Sequence, residues 1–360
     1  MGPSWVWLVW LSLLSACSPV YVLRVGYEEA RILWHRRPIS DILRRPDLDP
    51  AARDKLRLVL RVRAFAEREL GFRVGGSYAS LTEVSRPPII HVLTAAPQTS
   101  LEPYTWWFPI VGRVAYKGYF NQALARAEAR RLEARGYDTA IRTASAFSTL
   151  GWFDDPLLPH LLDYDAETLA NVIFHELFHS TFYLTGHTAF NESLANFAGH
   201  RAAIIFFRRE YGQHDDVTRR AEARWRRELE LSACVARAAA RLEALYASAL
   251  AEADKLSRRE GLFAQFQAEY RALVGPERAR TSLASGKLNN AVLLNQLVYM
   301  RELEVFERVY QNGKDLPAAL AAMTEAAERS DEPFGGVRAL LELARPPVSL
   351  PSRPDAAVAG

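Results

Sequence analysis

The pentapeptide His175-Glu176-Leu177-Phe178-His179 constrains this chain more than any other stretch. Residues four apart share one face of a helix, so on a helix both imidazoles can point at one metal ion. Glu176 falls between them, where a general base is needed beside an activated water. Twelve residues after His179, the stretch Asn191-Glu192-Ser193-Leu194-Ala195-Asn196 supplies a third donor, Glu192. Two histidines and one glutamate leave the fourth position of a tetrahedral zinc ion open, as a catalytic site requires. The run Leu169-Ala170-Asn171-Val172-Ile173-Phe174 is apolar enough to bury the first helix, which predicts that a second helix packs on it through Leu194, Phe197, Ala198 and Ile205.

The local signals bound these helices. Asp165 can cap the first, and Glu167 suits its positive end. That helix should run to about Leu184 and stop at Gly186, and the second should run from Asn191 through Phe207. Upstream, Tyr27 to His35 is one helix candidate and Ala51 to Leu70 a longer amphipathic one. The β-branched run Pro88 to Ala95, the aromatic segment Trp106 to Phe120 and the stretch Asp138 to Ser145 read as strands around a helix from Asn121 to Arg135. They should form a small sheet. Residues 215 to 273 alternate Arg and Glu with Ala and Leu, so they predict one or two long solvent-facing helices, an inserted arm. A single helix is expected from Leu288 to Tyr310, and residues 345–360 read as a disordered tail. The expected class is α+β, mostly helical.

Charge excludes one set of partners. Across 360 residues, 45 basic and 42 acidic side chains leave a formal charge of only +3, with the two signs interleaved. No nucleic-acid surface is expected. The apolar run Trp5 to Leu14 is too short for a membrane span and reads as the core of a signal peptide over residues 1–16. It ends Leu14-Ser15-Ala16-Cys17, which resembles the lipobox of bacterial lipoproteins, although Met1-Gly2-Pro3-Ser4 lacks the usual Lys or Arg. The resemblance implies acylation at Cys17, a mature domain over 17–344, and a lipid-anchored protein of the cell envelope. With Ser18 and no Asp after the cysteine, it points to the outer membrane, periplasmic face. A buried N-terminal helix with a chance cysteine is the competing reading. Cys234, in an alanine-rich stretch, reads as a small apolar packing residue.

The HExxH and Asn-Glu pieces together resemble the gluzincins, the thermolysin-like zinc peptidases. Further stretches extend the likeness: Leu101-Glu102-Pro103-Tyr104-Thr105-Trp106, Phe108-Pro109-Ile110-Val111-Gly112, Tyr116-Lys117-Gly118-Tyr119-Phe120, Gly136-Tyr137-Asp138, Ser148 to Pro156, and Leu288-Asn289-Asn290-Ala291. They look like a bacterial family named as zinc aminopeptidases and predicted to be lipoproteins, over most of residues 20 to 325. The resemblance implies a thermolysin-like zincin core with the helical arm as an insertion. It implies Zn2+ held by His175, His179 and Glu192, Glu176 as base and proton carrier, and a peptide substrate. Asn196 stands where that class often has an acid that orients a ligand histidine. Tyr299 is the candidate oxyanion donor, or else a core tyrosine. Asn289 and Asn290 could hold a substrate backbone, or cap a helix. Asp154 and Asp155 could bind a free amino terminus, or cap the turn before Pro156. No Gly-x-Met-Glu-Asn element of the large aminopeptidases is present, so endopeptidase action stays open. So does a non-catalytic envelope scaffold acting through the arm, though it has no need of Glu176.

Overall fold

The computed structural model describes residues 33–83, 90–108, 112–143, 154–278, 282–313 and 315–343. The signal segment, Cys17, most of the expected helix at 27–35, residues 148–153 of the expected loop and the 345–360 tail lie outside them. The chain is mostly helical with a small sheet. In order, the main elements are β1 (Arg36–Pro38), α1 (Pro50–Leu70), β2 (Ser80–Thr82), β3 (His91–Pro97), β4 (Trp106–Phe108), β5 (Gly112–Val114), β6 (Lys117–Tyr119), α2 (Gln122–Glu133) and β7 (Tyr137–Thr143). Then come α3 (Ala166–Thr181), α4 (Thr188–Tyr211), α5 (Asp216–Ala247), α6 (Glu252–Arg278), α7 (Asn290–Met300), α8 (Leu303–Gln311), α9 (Leu316–Glu328) and α10 (Pro333–Leu343).

Side-chain caps fix many of the starts. Asp49, Asn121, Asp165, Asp215, Asn289 and Asp315 each accept a backbone N–H of the helix they precede. The main core is an aromatic and aliphatic cluster in which α1, α3 and α4 meet α8, α9 and α10. Phe65, Phe174 and Phe206 form its centre, edge to face at 5.4 to 6.1 Å. The sheet has the order β6-β3-β7, antiparallel throughout, with α2 packed on it through Ala125, Ala129 and Leu132. β4 and β5 form a separate hairpin.

Three expectations are corrected. The helix from Ala166 stops at Thr181 rather than Leu184, because Asn191 takes both the N–H and the carbonyl of Leu184 and holds that residue out of the helix. The stretch from Leu288 to Tyr310 is two helices, not one. Met300, Arg301 and Glu302 separate them, with Glu302 in the left-handed region at φ 55°. No Gly or Pro marks that break. Side chains of neighbouring helices stabilise it: Ser232 donates to the Met300 carbonyl, and the Arg301 N–H donates to Ser193 Oγ. The 215–273 arm is an antiparallel hairpin, α5 against α6, and only its outer side is solvent-facing. Leu231, Cys234, Val235, Ala238 and Leu242 bury a face against Phe263, Phe266, Tyr270 and Leu293. Cys234 is a free, buried packing residue.

Candidate metal centre

Helices α3 and α4 form the floor of the site, and they approach closely because Gly199 has no side chain. A Cβ there would stand 2.6 Å from Asn171 Oδ1, 2.8 Å from the Asn171 carbonyl and 3.2 Å from His175 Cβ. One turn from Asn171 on α3 is His175, and two turns from Gly199 on α4 is Glu192. The crossing therefore brings the three expected donors together. His175 Nε2 lies 3.1 Å from His179 Nε2 and 3.2 Å from Glu192 Oε2, and His179 Nε2 lies 3.6 Å from the same oxygen. Donors about 2.0–2.1 Å from one tetrahedral zinc ion stand about 3.3 Å from each other, so the three edges fit such an ion. Among the described residues these three form a cluster of metal-binding type.

Electrostatics agree with the geometry. Burial opposes ionisation of Glu192, but the two histidines outweigh it and hold this carboxyl well below its ordinary range. Burial and then the Glu192 carboxylate act on His179 in opposite senses, and the acid wins, raising the imidazole. Glu176 is raised, first by burial, while the histidines oppose and Glu192 and Asp155 add to the rise. A carboxyl poised upward beside a metal cluster is suited to exchange protons.

The opposite wall comes from far along the chain. Tyr299, near the end of α7, has its ring 6.3 Å from that of His175. Arg142 of β7 donates through Nη2 to the Tyr299 hydroxyl at 2.8 Å, and its guanidinium carbon lies 5.3 Å from the ring centroid. Burial raises the Tyr299 phenol, Glu192 raises it further and Arg142 opposes. Tyr116, between β5 and β6, is raised by burial and by Glu192, and the half-exposed Tyr183 feels the same carboxylate. Sequence reasoning missed Arg142, Tyr116 and Tyr183. Tyr116 sits inside the stretch Tyr116 to Phe120 that carries part of the family resemblance, but nothing in the alternation of β7 marks Arg142.

The last turn of α7 is tied to the floor. Carbonyls at a helix C-terminus lack intrahelical partners. Here Ser193 donates to the Val298 carbonyl, Asn196 to the Tyr299 carbonyl at 2.9 Å, and Ser232 to that of Met300. Residues flanking Glu192 thus hold the backbone that carries Tyr299.

The other expected residues fall as follows. Asn196 gives its amide hydrogens to the Tyr299 carbonyl and to Glu228, and no bond to a ligand histidine is seen. His179 Nδ1 is buried without a hydrogen-bond partner. Asn289 caps α7 and donates to the Thr139 carbonyl. Asn290 is fully buried, donates to the carbonyls of Pro97 and Ser100, and accepts from Tyr246. Both amides join α7 to the sheet, alongside the buried Arg259–Asp138 pair at 2.7 Å. Asp154 is exposed and accepts the Gly76 N–H. Asp155 is buried and within electrostatic reach of Glu176 and Tyr78. A polar cavity of about 240 Å³ is lined by Asn171, Asn196, His200, Arg224 and Glu228, and none of the three donors is in its lining.

A family model described as "Putative aminopeptidase" matches residues 20–333. Neither a curated protein nor a solved structure matches the chain.

Proposed function

The chain belongs to the family described as "putative aminopeptidase", and on that premise we propose that it is a zinc-dependent peptidase of thermolysin-like zincin architecture that removes residues from peptide N-termini. One observation carries the reading: His175, His179 and Glu192 converge at tetrahedral spacing with Glu176 beside them. A zinc ion held by those three side chains supplies Lewis acidity and brings the pKa of a water toward about 7.

The protein's own groups do the rest. The raised pKa of Glu176 lets it take a proton from the attacking water and return it to the leaving amine. Tyr299 is a neutral donor on the far side of the ligand set and stabilises the oxyanion. Asp155, close enough to Glu176 to act on it, is the carboxylate for a free substrate amine. Asp154 has a different task, accepting the Gly76 N–H.

Hydrolysis of aminoacyl-anilides, with and without chelator, tests the proposal. Glu176→Gln should keep its zinc by elemental analysis and lose activity by about a hundredfold or more. Full activity in that variant would sink the mechanism. Hydrolysis of N-acetylated peptides at the rate of free ones would remove Asp155 from its role and favour an endopeptidase. The same proposal has Cys17 lipidated and the enzyme facing the periplasm from the outer membrane. Radiolabelled palmitate should enter the chain and fail to enter a Cys17→Ala variant. Among the described residues no helix is long and apolar enough to cross a membrane.

A further inference from the structure

We infer that Arg142 is a positioning residue that turns the Tyr299 hydroxyl hydrogen toward the ligand cluster. The inference rests on the proposed role of Tyr299 as oxyanion donor. A phenol oxygen has one hydrogen to donate and lone pairs to accept with. Arg142 Nη2 occupies an acceptor position at 2.8 Å. A guanidinium has donors only, so it cannot receive the phenol hydrogen, which must leave in another direction. The ring lies beside His175, and both Glu192 and Glu176 act electrostatically on the hydroxyl. In the metal-free protein those carboxylates make the ligand cluster the negative side of its surroundings, and the hydrogen orients there.

Three features make Arg142 more than a chance neighbour. Its strand position is fixed by pairing with Val92 in the centre of the sheet. Its guanidinium also lies near the Tyr299 ring at 5.3 Å, a contact that limits rotation of the ring away from the cluster. Its Nε is buried with no hydrogen-bond partner, and among the described residues its guanidinium is paired with the tyrosine rather than with an acid. A cation at this position also steadies any negative charge that develops on the far side of the phenol.

The test uses Arg142→Met, Arg142→Lys, Tyr299→Phe and the Met/Phe double variant. Backbone pairing of β7 does not depend on the side chain, and the lysine variant keeps the charge if the methionine variant folds poorly. In 13Cζ-tyrosine NMR spectra of the metal-free protein, the Tyr299 resonance is identified by its absence in Tyr299→Phe. It should shift in Arg142→Met and move back toward its original position in Arg142→Lys. A resonance unmoved by both substitutions overturns the inference. In the zinc-loaded enzyme, Arg142→Met should lower kcat by about 10- to 100-fold, with KM changed less than about twofold. The double variant should be no more than about twofold below Tyr299→Phe alone, because Arg142 acts through that tyrosine. An equal and independent loss in the Tyr299→Phe background overturns it. A wild-type protein without peptidase activity would remove the peptidase reading and leave the spectroscopic result to decide the role of Arg142.

Discussion

The two walls of the site are built on different principles. The floor, α3 and α4, is two helices buried in an aromatic core, with donors only four residues apart or a short loop away. The wall, the sheet with α7, is held by polar side chains that bridge up to 201 residues, as in the bond from Thr94 to Asn295. A floor of this kind is fixed by local helical geometry and apolar packing. The wall depends on each buried amide finding its partner. The metal should therefore bind independently of the wall, whereas orientation of the reacting groups should depend on it.

The sharpest way to break that contrast is at the floor. His179→Ala should abolish the zinc response. Wild-type protein should gain about 2.7 kcal/mol of stability with zinc at a hundred times its Kd, and the variant none, in melts with and without the ion. Asn290→Ala strikes the wall instead. It strands three partners in a fully buried setting and should cost about 3 kcal/mol in urea unfolding, with catalysis impaired and zinc affinity kept. Loss of zinc binding in that variant would mean that the two walls are one unit. Gly199→Ala overpacks the floor itself, at a cost of about 1–3 kcal/mol, and zinc affinity should fall with it in competition titrations.

A separate effect is one of pH. Burial holds His200 down to about 3, with Arg224 and His175 adding to the depression. Unfolded, the same imidazole titrates near 6.5, so between those values the unfolded chain binds more protons. Stability from this group is complete above about 6.5 and is lost as pH falls toward 3. His200→Gln should flatten the fall in Tm between about pH 6.5 and 4, and an unchanged slope would assign that fall to other groups.

How much of this was legible in the sequence follows the same division. Helical periodicity puts His175 and His179 on one face, and the short span to Glu192 offers a third donor, but only the packing of the two helices brings all three together. The cap at Asp165 and the helix from Pro50 to Leu70 were equally readable, because their causes are local. The break at Glu302 was not, since side chains on α4 and α5 stabilise it. Asn289 and Asn290 drew attention as a pair, but only the fold shows that their partners are Thr139, Pro97 and Ser100. Asn196 sits at the expected spacing after Glu192 and yet serves the Tyr299 backbone. Spacing locates a side chain on a helix, not what lies across from it.

Gly199 carries a consequence for which ions the site accepts. Where two helices meet backbone to side-chain root, no rotamer can adjust the gap between them, so the donors are held like jaws set to one width. Ions with bonds near 2.0–2.1 Å fit those jaws. A larger ion such as calcium, with bonds of about 2.3–2.6 Å, would have to lever the helices apart against the aromatic core beneath them. On the proposed metal reading, the residue with no side chain would act as a size filter for the ion.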